Sequence, residues 1–243
     1  MQFKFSNTAP VHRETHGVDR GSYLREFILG SQDGIVNVLG IVLGVAAGTG
    51  NTSIVILAGL AATFAESISM AAVGYTSSKA TADFYRQQQR KELREIENIP
   101  ELEREEIRRI YMQKGFSGKL LEQVVDTITS NKKVWLETMM QDELHLNKER
   151  HHPIKQAIIV GFSAFIGSLI PLAAFFLVPL ISIQTAFWIS LVLSALLLFV
   201  MGAYKGKITQ QSILKNGLEI AVIGLLAAAA GFLVGALFGV KTP

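Results

Sequence analysis

From Gln156 to Tyr204 the chain carries no charged side chain. A stretch that long, apolar almost throughout, is suited to a bilayer, where one helical crossing takes about 20 residues. It has room for two spans, with the turn between them expected near Pro171 to Pro179. Three more apolar windows fit one span each: roughly 27–48, roughly 53–78, and Leu218 to Val240 with Glu219 near its start. Backbone in hydrocarbon has to satisfy its own hydrogen bonds, which favours helices. The expected fold class is therefore all-α and integral to a membrane, with five transmembrane helices. A four-span alternative, with a re-entrant piece inside 156–204, is weaker, because irregular backbone at that depth needs protein or water around it.

Composition agrees. Apolar residues make up 49% of the chain and the mean hydropathy is +0.34, which suits a membrane protein with one hydrophilic insert. There is no cysteine, so disulfides, zinc–thiolate sites and thiol catalysis are excluded. The first 25 residues are polar (Lys4, Arg13, Arg20, Arg25) and lack an apolar signal-peptide core; the first span itself is expected to direct the chain to the membrane. The basic residues set the orientation. Segments 1–26, 79–155 and 205–215 hold 22 of the 23 Lys and Arg residues, leaving Lys241 alone on the other side. The positive-inside rule makes the first side cytoplasmic, with the N-terminus inside.

Four regions follow: a cytoplasmic N-terminal segment (1–26), spans one and two (27–78), a cytoplasmic helical insert (79–152) and spans three to five (153–243). Span two is expected to run on through KATADFYRQQQRKELREIEN, which no Gly or Pro interrupts. Pro100 suits the first turn of a second insert helix that Gly115 ends. Ser117 is placed to cap a third, with Leu120, Leu121, Val124, Val125 and Ile128 as its apolar stripe. A fourth helical stretch, KKVWLETMMQDELHLNKE, leads back to the membrane before Pro153.

Asp33 and Glu66 are the only charged side chains between Phe27 and Ser78. A carboxylate at membrane depth is costly and marks a functional site by default; as a hard oxygen ligand and a proton acceptor, it points to cation transport. Asn37 follows Asp33 by four residues and Met70 follows Glu66 by four, so each pair shares a helix face. Adjacent spans would line one path with two carboxylates, an amide and a thioether. Those oxygens suit Mn²⁺ and Fe²⁺, and a thioether favours a transition metal over Ca²⁺ or Mg²⁺. The competing reading makes Asp33 a helix-bonding group and Met70 packing. Gly30, Gly34, Gly40, Gly44 and Gly48 allow close helix approach, either within one chain or at a dimer axis.

The insert carries Glu92, Glu95, Glu97, Glu101, Glu103, Glu105 and Glu106. Glu92/Glu95 and Glu103/Glu106 are i,i+3 pairs on two helices able to face each other. Interleaved arginines make a solvated charged face the ordinary reading of such a run. Met139 and Met140, one turn from Glu143, add thioethers, although a packed methionine is the commoner role. His151 and His152, with Lys155, read as interfacial. His145 does not share a helix face with Glu143. Mixed charges without aromatic interleaving argue against a nucleic-acid partner, and with no P-loop, GxSxG or HExxH motif the chain is not expected to drive transport with ATP by itself.

SQDGIVN in span one, ISMAAVGY in span two, then Lys79, Asp83 and Tyr85, WLETMMQDELHL in the insert and Tyr204-Lys-Gly after span four together resemble the vacuolar iron transporter family. The similarity runs from about Arg25 to the last span. It implies a homodimer of five-span subunits that exchanges Fe²⁺ or Mn²⁺ for protons and moves metal out of the cytosol. It also implies a path at the dimer interface using Asp33 and Met70, and an insert that binds metal through Glu92, Glu95, Glu103, Glu106, Met139, Met140 and Glu143. One departure stands out: where the plant-type pattern has a membrane glutamate eight residues before the methionine, this chain has Ala62, and its glutamate is Glu66, one turn of about 5.4 Å later.

The expectation is a proton-coupled antiporter, not an enzyme, embedded in lipid. It has no permanent cofactor; Fe²⁺ or Mn²⁺ is its substrate, and other divalent transition metals are conceivable at the insert. Two other classes stay open: a membrane-anchored metal buffer or sensor, and a scaffold whose insert docks a protein partner. With no long N-terminal extension, a prokaryotic plasma membrane is favoured over a vacuolar one.

Overall fold

The computed structural model describes residues 18–146 and 152–239, with side chains from Tyr23 onward. Lys4, Arg13, His151 and Lys241 lie outside that range, as does the side chain of Arg20. The described residues are all helix and turn: α1 (Val18–Thr49), α2 (Thr52–Asn98), α3 (Pro100–Gln113), α4 (Gly118–Thr129), α5 (Lys132–Thr138), α6 (Pro153–Ala173), α7 (Ile183–Ile208) and α8 (Ile213–Phe238). A π-helical turn, Met139–Glu143, continues α5, and a 3-10 turn, Ala174–Leu177, continues α6. Five helical stretches are long and apolar enough to cross a membrane: Tyr23–Thr49, Thr52–Asn98, Pro153–Leu177, Ile183–Ile208 and Ile213–Phe238. The chain divides into two compact units, Met1–Ala72 with Gln156–Pro243, and Val73–Lys155.

The first unit turns many large apolar side chains outward and buries serines and glycines between its helices, beside a core of Leu39, Leu43, Leu172 and Phe175. Leu57 is 71% exposed, Leu226 65% and Phe162 63%, whereas Ser163, Ser168, Ser190 and Ser194 are fully buried. Lipid is as apolar as leucine, so helices in a bilayer associate through close packing of small residues. Helix α1 packs against both α6 and α8. Its Gly30 and Gly34 abut Val160, Ala164 and Ser168 of α6, and its Gly40, Gly44 and Gly48 abut Ala227, Gly231 and Gly235 of α8. A Cβ at Gly44 would lie 2.6 Å from the Gly231 carbonyl oxygen. Helices from the same chain thus occupy the glycine surface of the first span. Ile35, Val38, Leu39, Val42 and Leu43 fill the space beside it.

Three boundaries differ from the sequence reading. The turn expected from Pro171 comes later: α6 runs through Pro171 to Ala173, and the turn falls at 178–182. Proline removes one backbone donor, a loss that neighbouring helices absorb inside a membrane bundle. Here Pro171 is buried, and Ser190 Oγ of α7 donates to its carbonyl at 2.7 Å. The last helix begins at Ile213, with Ser212 Oγ accepting from the Lys215 amide, so Glu219 lies inside it. The first helix extends back to Val18.

The second unit is a helical module around Ile96, Ile107, Leu121, Val125, Ile128, Trp135 and Met139. Helix α2 runs unbroken to Asn98, Pro100 opens α3, and Gly115, at φ +95°, follows its end. Ser117 does not cap α4 with its side chain. Gly118, at φ +56°, shapes that entry through the backbone instead. The apolar stripe of α4 is also narrower than expected: Leu121, Val125 and Ile128 are buried, Val124 is half-buried and Leu120 faces out. The last insert helix stops early. Asn131 Oδ1 caps α5 by accepting from the Lys133 and Val134 amides, the π turn follows, and His145 at φ +54° ends the run.

Candidate functional site

Glu66 of α2 lies close to Asp33 and Asn37 of α1. All three sit in apolar helical segments. Asp33 and Glu66 are half-buried and Asn37 is exposed. Beside them is a cavity of about 260 Å³ lined by Asn37, Val38 and Ile41 of α1 and by Ala62, Ala65, Glu66 and Ser69 of α2. At roughly 30 Å³ per water in the liquid, the space admits water beside the Glu66 carboxyl. Ala62 and Glu66 line the same cavity, so the one-turn displacement of the glutamate leaves its carboxylate in the same space. Met70 is one turn further along α2 and half-buried.

In the helical module, arginines and glutamates separate. Arg104 pairs with Asp126 and donates to Thr129 Oγ1 at 2.9 Å. Arg108 grips Glu122 through Nε and Nη2, both at 2.9 Å, and pairs with Glu105. Lys132 pairs with Glu97. These contacts draw α3's arginines toward α4. Glu103 and Glu106 are left on another side, where Arg109 approaches Glu106 at 4.0 Å. The alternation of charge that reads as one solvated face is divided between an ion-paired seam and an acidic cluster.

Glu92, Glu95, Glu103, Glu106 and Glu143 form that cluster. Glu92 is 2% exposed and Glu103 3%, and Glu103 Oε2 is buried without a hydrogen-bond partner. Glu103 stands in the first turn of α3, where the helix dipole favours an anion. Burial outweighs this, and with repulsion from Glu106, Glu92, Glu143 and Glu95 it lifts the carboxyl to about 7. Glu143 still reaches solvent, but partial burial of its carboxyl, followed by Glu106 and Glu92, also lifts it to about 7. Burial and then Glu95 push Glu92 up. Carboxylates that raise one another in this way are short of positive charge, a common mark of functional sites. Met139 and Met140 are fully buried on the π turn, a deformation frequent at functional positions. Among the described residues, no three Asp, Glu or His side chains converge closely enough to enclose one ion; ion capture would need the carboxylates to draw inward.

Four neighbours escaped the sequence reading. Lys91 Nζ lies 3.3 Å from Glu95 Oε2, and Glu95, then Glu92 and Glu143, hold its ammonium above the usual range. An i,i+4 Lys–Glu spacing was the available signal. Asp142, Tyr111 and Lys114 meet behind the π turn, and nothing in their spacing foretells it.

A family model described as the VIT family matches residues 24–236. The chain is 34% identical over 222 residues to Vacuolar iron transporter 2 of Oryza sativa subsp. japonica, covering 91% of this chain and 89% of that protein. It is 32% identical over 222 residues to Vacuolar iron transporter 1 of Arabidopsis thaliana (91% and 88% covered). It is also 32% identical over 239 residues to the Vacuolar iron transporter of Plasmodium falciparum (95% and 87% covered). All three organisms are eukaryotes, so these likenesses do not favour the prokaryotic plasma membrane expected above.

Proposed function

The chain belongs to the VIT family, and from that premise we propose that it is a multi-pass membrane transporter that moves Fe²⁺, and Mn²⁺ with it, out of the cytosol in exchange for protons. The observation that carries this reading is the grouping of Asp33, Glu66 and Asn37 beside a cavity between α1 and α2. Two carboxyl groups in mutual reach hold either a shared proton or a divalent cation between them. Metal entry therefore expels a proton, and protonation expels the metal. That competition couples the two fluxes without a further component. Met70, one turn from Glu66, offers a thioether that discriminates against Ca²⁺ and Mg²⁺. Glu66 takes the part of the carboxylate that Ala62 lacks.

The insert faces the cytosol and captures metal through Glu92, Glu95, Glu103, Glu106, Met139, Met140 and Glu143. The five carboxylates supply charge and the methionines softness. Two copies of the chain form the working unit. Iron as substrate is supported by the names of the relatives; manganese is supported by the chemistry of the donor set, since Fe²⁺ and Mn²⁺ both accept carboxylate and amide oxygens.

Proteoliposomes with an acidic lumen and Fe²⁺ or Mn²⁺ outside, kept reducing, test the proposal. Wild type should accumulate metal only while the gradient lasts, and Asp33→Ala should lose at least about tenfold in rate, about 1.4 kcal/mol of barrier. Equal uptake by Asp33→Ala, with its pH dependence intact, would remove the carboxylate pair from the mechanism. If neither metal is taken up although the protein binds it, the chain is instead a membrane-anchored metal buffer or sensor, for which the acidic cluster alone would suffice.

A further inference from the structure

The π turn Met139–Glu143 carries three of the proposed metal-binding side chains, yet a π turn has weaker intrinsic support than an α turn and usually survives where surroundings hold it. Its second residue from the end, Asp142, is tied to the far end of α3. Lys114 Nζ lies 2.6 Å from Asp142 Oδ2, and the Tyr111 hydroxyl donates to the same oxygen at 3.3 Å. Lys114 also stands over the Tyr111 ring at 4.7 Å, and that ring packs against Phe116 at 5.7 Å between centroids. Tyr111 and Phe116 both pack on the module's core. Lys114 is the residue that ends α3, where the chain turns through Gly115, so its backbone position is fixed. The Leu144 amide closes the turn on the Met139 carbonyl at 3.1 Å.

Helix α3 thus has two functions. Its first half presents Glu103 and Glu106; its last turn holds the segment that presents Met139, Met140 and Glu143. We infer that Tyr111, Lys114 and Asp142 form a positioning latch that fixes the π turn against α3, bringing the methionine–glutamate half of the metal site into register with the glutamate half. None of the three is a metal ligand. The inference rests on the reading that the insert binds a divalent transition metal. Partners that only orient metal ligands affect affinity by about 10–100-fold when removed.

Lys114 makes the test decisive, because the latch and simple electrostatics give opposite signs. Removing a cation near an acidic cluster should tighten cation binding if charge alone matters; releasing the latch should weaken it. The measurement is Mn²⁺ binding by the purified full-length protein in detergent, followed by loss of the free-ion paramagnetic resonance signal. Lys114→Gln should bind Mn²⁺ about tenfold more weakly than wild type with the same stoichiometry and helical content. Tyr111→Phe should weaken binding less, and Lys114→Arg should restore it. Lys114→Gln binding as tightly as wild type, or more tightly, overturns the latch. So does weaker binding that comes with lost helical content and is not restored by arginine, which would mean a role in folding only. A double variant, Glu103→Gln with Glu106→Gln, separates the underlying premise: if it binds Mn²⁺ as wild type does, the metal-binding reading of the insert falls and the latch with it.

Discussion

Glu103 illustrates what a single residue contributes. A buried carboxylate with an oxygen lacking a hydrogen-bond partner is costly in the absence of an ion. Its proton affinity is raised from the ordinary 4.5 to about 7, so the folded state binds this proton more tightly than the unfolded one. The corresponding stability is complete below about pH 4.5 and is lost as pH rises toward 7. Glu103→Gln keeps the shape and removes the charge. At pH 8 it should stabilise the metal-free insert by about 1–3 kcal/mol, read as slower hydrogen exchange in α3, while weakening metal binding. Unchanged exchange at pH 8 would mean the carboxylate is solvated after all. Spacing singled out Glu103 and Glu106 as an i,i+3 pair and the resemblance assigned them to metal, but neither showed what parts them from the interleaved arginines. The distinction arises when Arg104 and Arg108 reach across to α4, and partner choice between helices leaves no trace in the spacing along one of them.

Among the helices, legibility depends on whether a residue type dictates a backbone shape. The length of α2, the Pro100 start and the Gly115 stop were readable because proline and glycine constrain the backbone directly. The π turn was not, because MMQDE suits an α-helix equally well and its deformation is held by tertiary contacts. Pro171 misled for the complementary reason: surrounding helices override its tendency to break one. The α1–α8 crossing lies between these cases. The glycines were visible, while their opposite partners were not. At Gly231 an added Cβ would fall against the Gly40 carbonyl oxygen of α1, a backbone atom unable to rotate away. Gly231→Ala should therefore force the helices apart and destabilise the protein by about 1–3 kcal/mol, seen as a lower thermal midpoint in detergent. Leu226→Ala, on the exposed side of the same helix, should stay within about 0.5 kcal/mol. Equal midpoints for the two variants would show that α1 and α8 do not depend on that contact.

At the scale of the whole molecule, the compartment from which the insert meets metal depends on which side each loop faces, and the charge distribution predicts those sides. With 22 of 23 basic residues on one side of the five-span arrangement, the positive-inside rule predicts a cytosolic insert and puts the loop around Asn51 on the opposite face. The chain contains no cysteine, so single cysteines can be introduced without background. Ser130→Cys, an exposed position at the end of α4, and Asn51→Cys, exposed between α1 and α2, serve as the reporters. In sealed cells, a membrane-impermeant thiol reagent should label Asn51→Cys and leave Ser130→Cys untouched; in inverted vesicles the pattern should reverse. Labelling of Ser130→Cys in intact cells would place the acidic cluster outside. The acidic cluster would then meet metal on the outer side, and capture of cytosolic metal by the insert would fall, while the sense of the exchange would still follow the proton gradient.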